Sequence, residues 1–131
     1  MRIFIDTNIL IDYSKGYETI LRNLLTQKKA DIELCVNPIV LTEFFSDRNL
    51  RKKSLQSQAK EFIRLFENLD ITSDIGILAG SFISQGLCEY LGDSIIAATC
   101  IHEKCLLCTR NTKDFANIPE LQFYSQEESS T

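Results

Sequence analysis

The sequence predicts an α/β fold, with a mostly parallel central sheet flanked by helices on both faces. Three observations predict it. First, the chain opens on a short apolar run that ends in an acid, Ile3-Phe4-Ile5-Asp6. That is the pattern of a buried strand delivering a carboxylate to its C-terminal end. Second, further short apolar runs recur along the chain, separated by stretches of helical periodicity. Strands joined through helices of this length pair in parallel. Third, capping residues such as Thr7, Asn37 and Thr72 or Ser73 follow those runs closely, as they do where a strand hands over to a helix.

Taken in order, residues 2–5 form the first strand. Thr7 caps a short helix over 8–14, which Gly16 breaks. A second helix over 17–28 carries Ile20, Leu21, Leu24 and Leu25 at helical spacing. Residues 32–36 are short and apolar enough for a second strand. Asn37 is then an N-cap with Pro38 in the first turn, opening a helix that runs to Phe45. Leu55, Ala59, Phe62, Ile63 and Phe66 mark a long amphipathic helix over 53–68. Residues 69–71 form a minimal strand, and the next helix runs from the Thr72-Ser73 cap to near Gly86. Leu91-Gly92-Asp93 opens another, with Ile95, Ile96, Ala98, Thr99 and Ile101 packing inward. Residues 105–109 form a strand, 113–115 a single turn and 121–124 a last strand. Residues 1–124 are expected to form one domain, and the polar stretch 125–131 to be a frayed tail.

At 131 residues the chain suffices for a single well-filled core. Its formal net charge of −4 argues against broad, non-specific binding of nucleic acid. It leaves room for a local basic rim around an acidic pocket. Arg48, Arg51, Lys52 and Lys53, with Lys60 and Arg64 beyond, are the one strong basic concentration, and a solvated helix start accounts for them. No apolar run approaches the roughly 18 residues that span a bilayer. Asp6 also interrupts the N-terminal apolar run, against a secretory leader. A soluble, cytoplasmic protein is expected. The five cysteines are odd in number, and the chain has one histidine, His102. Leu-Leu fills the Cys105–Cys108 gap within a strand. These are expected to be buried reduced thiols rather than a zinc site.

Four acids stand where acids are costly. Asp6 ends an apolar strand. Glu43 lies three residues after Val40 and four after Ile39, so on a helix it shares their inward face. Asp93 begins a helix whose first turns read Ser-Ile-Ile-Ala-Ala, and Asp114 precedes the aromatic anchor Phe115. Each has a plain structural explanation: a turn, a helix dipole, the edge of an apolar stripe. Yet all four map to strand ends or helix starts on one side of the sheet, where ligands of α/β proteins bind. Like charges gathered there repel unless a cation joins them. Carboxylates without histidine or thiolate are hard oxygen ligands, suited to Mg²⁺ or Mn²⁺. Asp12 is expected to be a solvated residue of the first helix.

The segments Ile5-Asp6-Thr7-Asn8, Thr42-Glu43, Gly92-Asp93-Ser94-Ile95-Ile96-Ala97-Ala98 and Thr109-Arg110-Asn111-Thr112-Lys113-Asp114-Phe115 carry a resemblance. In order and rough spacing the chain resembles PIN-domain ribonucleases, and most closely the VapC-type toxins of toxin–antitoxin pairs. The likeness covers residues 1–124 and implies a three-layer PIN-like domain. It implies that Asp6, Glu43 and Asp93 are catalytic carboxylates forming a metal pocket. Many relatives have an acid at the position of Asn111, and some at that of Asp114; here only Asp114 is charged, so it is the fourth catalytic and metal-site group by this resemblance. Thr7, Asn8, Thr109 and Asn111 would support the carboxylates, and Arg110 would meet the RNA phosphate.

The implied activity is Mg²⁺-dependent (Mn²⁺ possible) endoribonucleolytic hydrolysis, leaving a 5′-phosphate and a 3′-hydroxyl, with RNA, frequently tRNA, as substrate. The implied partners are a cognate antitoxin, whose C-terminal segment lies in a groove near the acids, and a second copy of the chain; Phe44-Phe45 and the helix around Phe62 to Phe66 are candidates to line that groove or to be plain core, and core is the expectation for Phe62 and Phe66. The implied outcome is a block of translation. The alternatives are a PIN nuclease of RNA processing and an inactive PIN-like binding module. A haloacid-dehalogenase-like phosphatase is disfavoured, because it needs a second acid where this chain has Asn8.

Overall fold

The computed structural model describes residues 1–17, 20–27 and 31–125. Strand β1 (Arg2–Ile5) lies inside a four-stranded sheet. Its Ile3, Phe4 and Ile5 are fully buried. An unbroken apolar run of this kind belongs to a strand covered on both faces. Helix α1 (Thr7–Ser14) follows at once and ends before Gly16, whose φ of 79° stops it. Helix α2 (Ile20–Gln27) buries Leu21 and Leu24. The expected helix over 17–28 also took in 18, 19 and 28, which lie outside the described residues.

Strand β2 (Glu33–Val36) leads into α3 (Pro38–Phe45), a 3-10 turn (Arg48–Arg51) and α4 (Lys53–Ile63). Strand β3 (Glu67–Asn68), α5 (Ser73–Ser84), α6 (Leu91–Glu103), β4 (Leu106–Cys108) and a 3-10 turn (Thr112–Phe115) complete the order.

All strand pairs are parallel, in the order β3-β2-β1-β4. Ile3 is level with Leu34 on one side and with Leu106 on the other. The chain steps outward from β1 to β2 to β3, then returns past β1 to lay down β4. With right-handed crossovers, that reversal puts the β3–β4 connection on the opposite face from the earlier ones. The result is a three-layer α/β architecture with a switch point between β1 and β4. Among the described residues no helix is long and apolar enough to cross a membrane.

Several elements differ from expectation. The cap of α1 is Asp6 rather than Thr7: the Asp6 carboxylate accepts the Thr7 N–H. The helix expected over 53–68 stops at Ile63, and the third strand is 67–68 rather than 69–71. Phe66 is buried beyond the helix, so its apolar character serves a turn that the helical spacing concealed. The strand expected over 121–124 contracts to one bridge, Leu107 with Phe123. Cys35, Cys88, Cys100, Cys105 and Cys108 are all buried and unpaired, as expected. The exposed His102 sits in the last turn of α6.

Asn37 fixes α3. Its side chain is completely buried; Oδ1 accepts the Val40 N–H at 3.1 Å and Nδ2 donates to Thr99 Oγ1 at 3.0 Å. Thr99 Oγ1 in turn donates to the Ile95 carbonyl at 2.7 Å. The first turn of α3 is thereby pinned to the middle of α6.

Candidate functional site

Asp6 and Thr109 stand one residue beyond β1 and β4, the adjacent strands at the switch point. Thr109 Oγ1 donates to Asp6 Oδ2 at 2.7 Å, and the Thr7 N–H donates to Asp6 Oδ1 at 2.8 Å. Asn8 Nδ2 lies 3.5 Å from Asp6 Oδ2. Each oxygen of this 5% exposed carboxylate is therefore held. Burial nevertheless pushes the Asp6 pKa upward, against the lowering effect of the Thr109 and Thr7 hydrogen bonds, and the charges of Glu43 and Asp114 add to the rise.

Thr7 holds a second acid as well: its hydroxyl donates to Glu43 Oε1 at 2.6 Å. Glu43 is exposed, which corrects the expectation of an inward-facing residue. Helix α3 buries Val40 and Phe44, and Ile39 is only half-buried, so the stripe ends short of Glu43. The carboxylate rests over the first turn of α6, where a side-chain carbon placed on Gly92 would lie 3.7 Å from Glu43 Oε2. Gly92 leaves that space open, and a helix N-terminus favours negative charge beside it.

Asp93 occupies the same first turn and is half-buried. Its pKa is raised from 3.8 to about 6, first by burial and then by the charges of Asp6, Asp114 and Glu43. Asp114 is exposed in the last 3-10 turn, whose position is set by the buried Phe115 and by the Asp114 N–H donating to the Asn111 carbonyl at 3.0 Å. The Asn111 N–H donates to Thr109 Oγ1 at 3.0 Å, so it orders the hydroxyl that holds Asp6. The Asn111 side chain itself is exposed.

The fold thus gathers Asp6, Glu43, Asp93 and Asp114 into one electrostatic field, with Thr7, Asn8, Thr109 and Asn111 around them. Among the described residues no lysine or arginine forms an ion pair with any of the four acids. No three of them bring an oxygen each within 4.8 Å of one another. The donor set fits a hard divalent cation: it is all carboxylate, negatively charged in excess, and backed by a buried acceptor, Asn8 Oδ1, that has no hydrogen-bond partner.

The set of ligand-type atoms that does converge within 4.8 Å among the described residues is Glu33, Cys35 and Glu67, at the opposite ends of the strands. Arg2 fills that place. It meets Glu33 at 3.2 Å, Glu67 at 3.6 Å and Glu103 at 3.1 Å. That cluster is an ion-pair network in which one guanidinium partly offsets three carboxylates.

Asp12 is placed differently from expectation. Asp12 is buried rather than solvated, and its Oδ2 lies 3.0 Å from Arg110 Nε. The sequence offered little signal for this pair, because the partners are far apart in the chain and join only when α1 and the segment after β4 lie side by side.

The sequence matches the PIN domain family over residues 3–121. It is 29% identical to a protein named Ribonuclease VapC from Rickettsia bellii, over 93% of this chain and 94% of that one. Among solved structures, VapBC2 of Rickettsia felis bound to a promoter DNA fragment is similar at a TM-score of 0.79, with 24% identity over 95% of this chain and 98% of the other. A toxin–antitoxin complex from Klebsiella pneumoniae is similar at 0.72, with 29% identity over 91% and 94%. With its fold, the order of its acid-bearing segments and a match spanning most of its length, the chain belongs to the PIN domain family.

Proposed function

We propose that this chain is a divalent-metal-dependent endoribonuclease, the toxin of a VapBC-type toxin–antitoxin pair that blocks translation by cutting RNA. The observation that carries the reading is the gathering of Asp6, Glu43, Asp93 and Asp114 at the switch point, with Thr7 bridging two of them and, among the described residues, no basic side chain paired with any. Asp6, Glu43, Asp93 and Asp114 are the residues that would hold Mg²⁺ or Mn²⁺. Bound there, the cation would supply charge neutralisation and Lewis acidity toward a phosphate oxygen and a water molecule. The chain's own residues provide order. Thr109 and the Thr7 backbone hold both Asp6 oxygens, and the Thr7 hydroxyl holds Glu43. Thr7 thereby fixes the relation between two of the acids. No side chain is needed as nucleophile: a water attacks phosphorus and gives up a proton to solvent, the bond to the 3′-oxygen breaks, and that oxygen takes a proton to leave a 3′-hydroxyl and a 5′-phosphate.

The relatives' toxin–antitoxin complexes motivate one partner, and an exposed apolar helix face a second. A concave groove of about 430 Å³ lies between α1, α3 and α4, lined among others by Ile11, Tyr13, Phe44, Leu50 and Phe62. An antitoxin segment with apolar side chains fits it, and the groove runs beside the helix that carries Glu43. A second copy of the chain fits α5, where Ile77 and Ile83 are exposed beside Gly76 and Gly80, both open above.

The test uses the full chain. Asp6→Asn and Asp93→Asn should each abolish Mg²⁺-dependent RNA cleavage while leaving the melting temperature unchanged or higher. Retained cleavage in both would overturn the site. Expression of the wild-type chain should arrest growth, relieved by the product of an adjacent antitoxin gene. Cleavage without arrest would move the reading to RNA processing.

A further inference from the structure

The Asp12–Arg110 pair sits beside the carboxylate cluster for a reason visible in the fold. Asp12 lies on α1, the helix that Asp6 caps, and Arg110 directly follows Thr109, the residue that holds Asp6. The pair joins the two segments on which the cluster's first acid depends. Its two members have unlike surroundings. The Asp12 side chain is 12% exposed, whereas that of Arg110 is 59% exposed.

An arginine serving only to neutralise a buried acid meets it best through a two-pronged contact. Here the closest approach is between Arg110 Nε and Asp12 Oδ2, at 3.0 Å, an ion pair without a directed hydrogen bond. Among the described residues neither terminal nitrogen of Arg110 has an acceptor. The guanidinium is thus held beside Asp12 by charge and keeps its coplanar N–H donors free, the arrangement that suits a phosphate's oxygens. A phosphodiester approaching four carboxylates is repelled by them, and a fixed cation at the rim offsets that repulsion.

We propose that Asp12 is a positioning residue that holds Arg110 as a phosphate-binding arm, which takes a backbone phosphate of single-stranded RNA next to the carboxylate cluster. The inference rests on the nuclease reading above. Without the tether, Arg110 samples many rotamers and binds the same phosphate more weakly, so Asp12 acts on RNA only through Arg110.

The experiment measures steady-state cleavage of a single-stranded RNA for wild type, Arg110→Ala, Asp12→Asn and the double variant, across a range of salt. Arg110→Ala should raise KM about tenfold with kcat changed less than about threefold, and should reduce the slope of log affinity against log salt by about one contact. Asp12→Asn should raise KM by a smaller factor. The double variant should match Arg110→Ala, since Asp12 has nothing left to position. It also leaves no unpaired buried charge, so it remains readable if Arg110→Ala, which strands the buried Asp12, does not fold. Unchanged KM and salt slope in Arg110→Ala overturn the inference, as does a double variant clearly worse than Arg110→Ala in KM. If wild type cuts no RNA, the nuclease reading fails separately. Binding of the same RNA in EDTA then decides: equal affinity of wild type and Arg110→Ala overturns the phosphate arm, and weaker binding by the variant sustains it.

Discussion

At the scale of single residues, the site depends on a few hydroxyls and amides holding acids that would otherwise repel. Thr109 is the sharpest case. Thr109→Val removes the donor to Asp6 and the acceptor for the Asn111 N–H. Stability should fall by about 1 kcal/mol in urea unfolding. The acid limb of the pH–rate profile should move to higher pH, because the lost bond favoured the charged form of Asp6. Asp93 gives a second prediction. Its folded pKa of about 6 exceeds its ordinary 3.8, so the folded chain binds a proton that the unfolded chain has released. Stability in EDTA should therefore decline as pH rises from about 4 to about 6, and then level off. Asp93→Asn should lack that decline and melt higher than wild type above pH 6, while millimolar Mg²⁺ should raise the wild-type melting temperature more than the variant's. Parallel curves for the two proteins would contradict this. The acids themselves were legible in the sequence, as charges in apolar surroundings. The exposure of Glu43 was not, because spacing on a helix gives a face but not where the neighbouring helix stops covering it.

At the scale of elements, accuracy depends on whether the boundary signal is local. Asn37-Pro38 is local, and α3 begins and ends where the sequence places it. The end of α4 is not local: Phe66 continues the helical spacing, yet Glu67 pairs with Cys35 in the sheet, and tertiary pairing overrides the pattern. The same holds at 121–124, where one bridge replaces a strand. Because Asn37 both caps α3 and ties it to Thr99, Asn37→Ala should destabilise the fold by about 2–3 kcal/mol in urea unfolding. It should also slow cleavage, since α3 carries Glu43 toward α6. Gly92→Ala tests the opposite case. The added carbon meets Glu43 Oε2 and Ile39 at ordinary contact distances, 3.7 Å each. The variant should fold normally and gain roughly 0.5 kcal/mol of helix stability.

At the scale of the whole molecule, alternation of strands and helices made the parallel sheet readable, but not its order. What places Asp6 beside Thr109 is the return of the chain to the far side of β1, and no local pattern encodes that step. The exposed apolar face of α5 also belongs to this scale. Ile77 is 73% exposed between two glycines that leave close approach open. Ile77→Glu should convert a dimer to a monomer in light scattering with little change in melting temperature. A wild-type chain that is monomeric at tens of micromolar would count against the α5 interface.

The two ends of the sheet answer one problem in two ways. Around Arg2, three glutamates share a guanidinium that is covalently part of the chain, so part of their charge is offset wherever the protein goes. Around Asp6, the proposed cation would have to be borrowed from the surroundings. One pole of the molecule therefore carries a cation of its own, and the other would be a meter of the ions around it. Chelation, dilution or competition among ions in the medium should change the active pole and leave its opposite untouched.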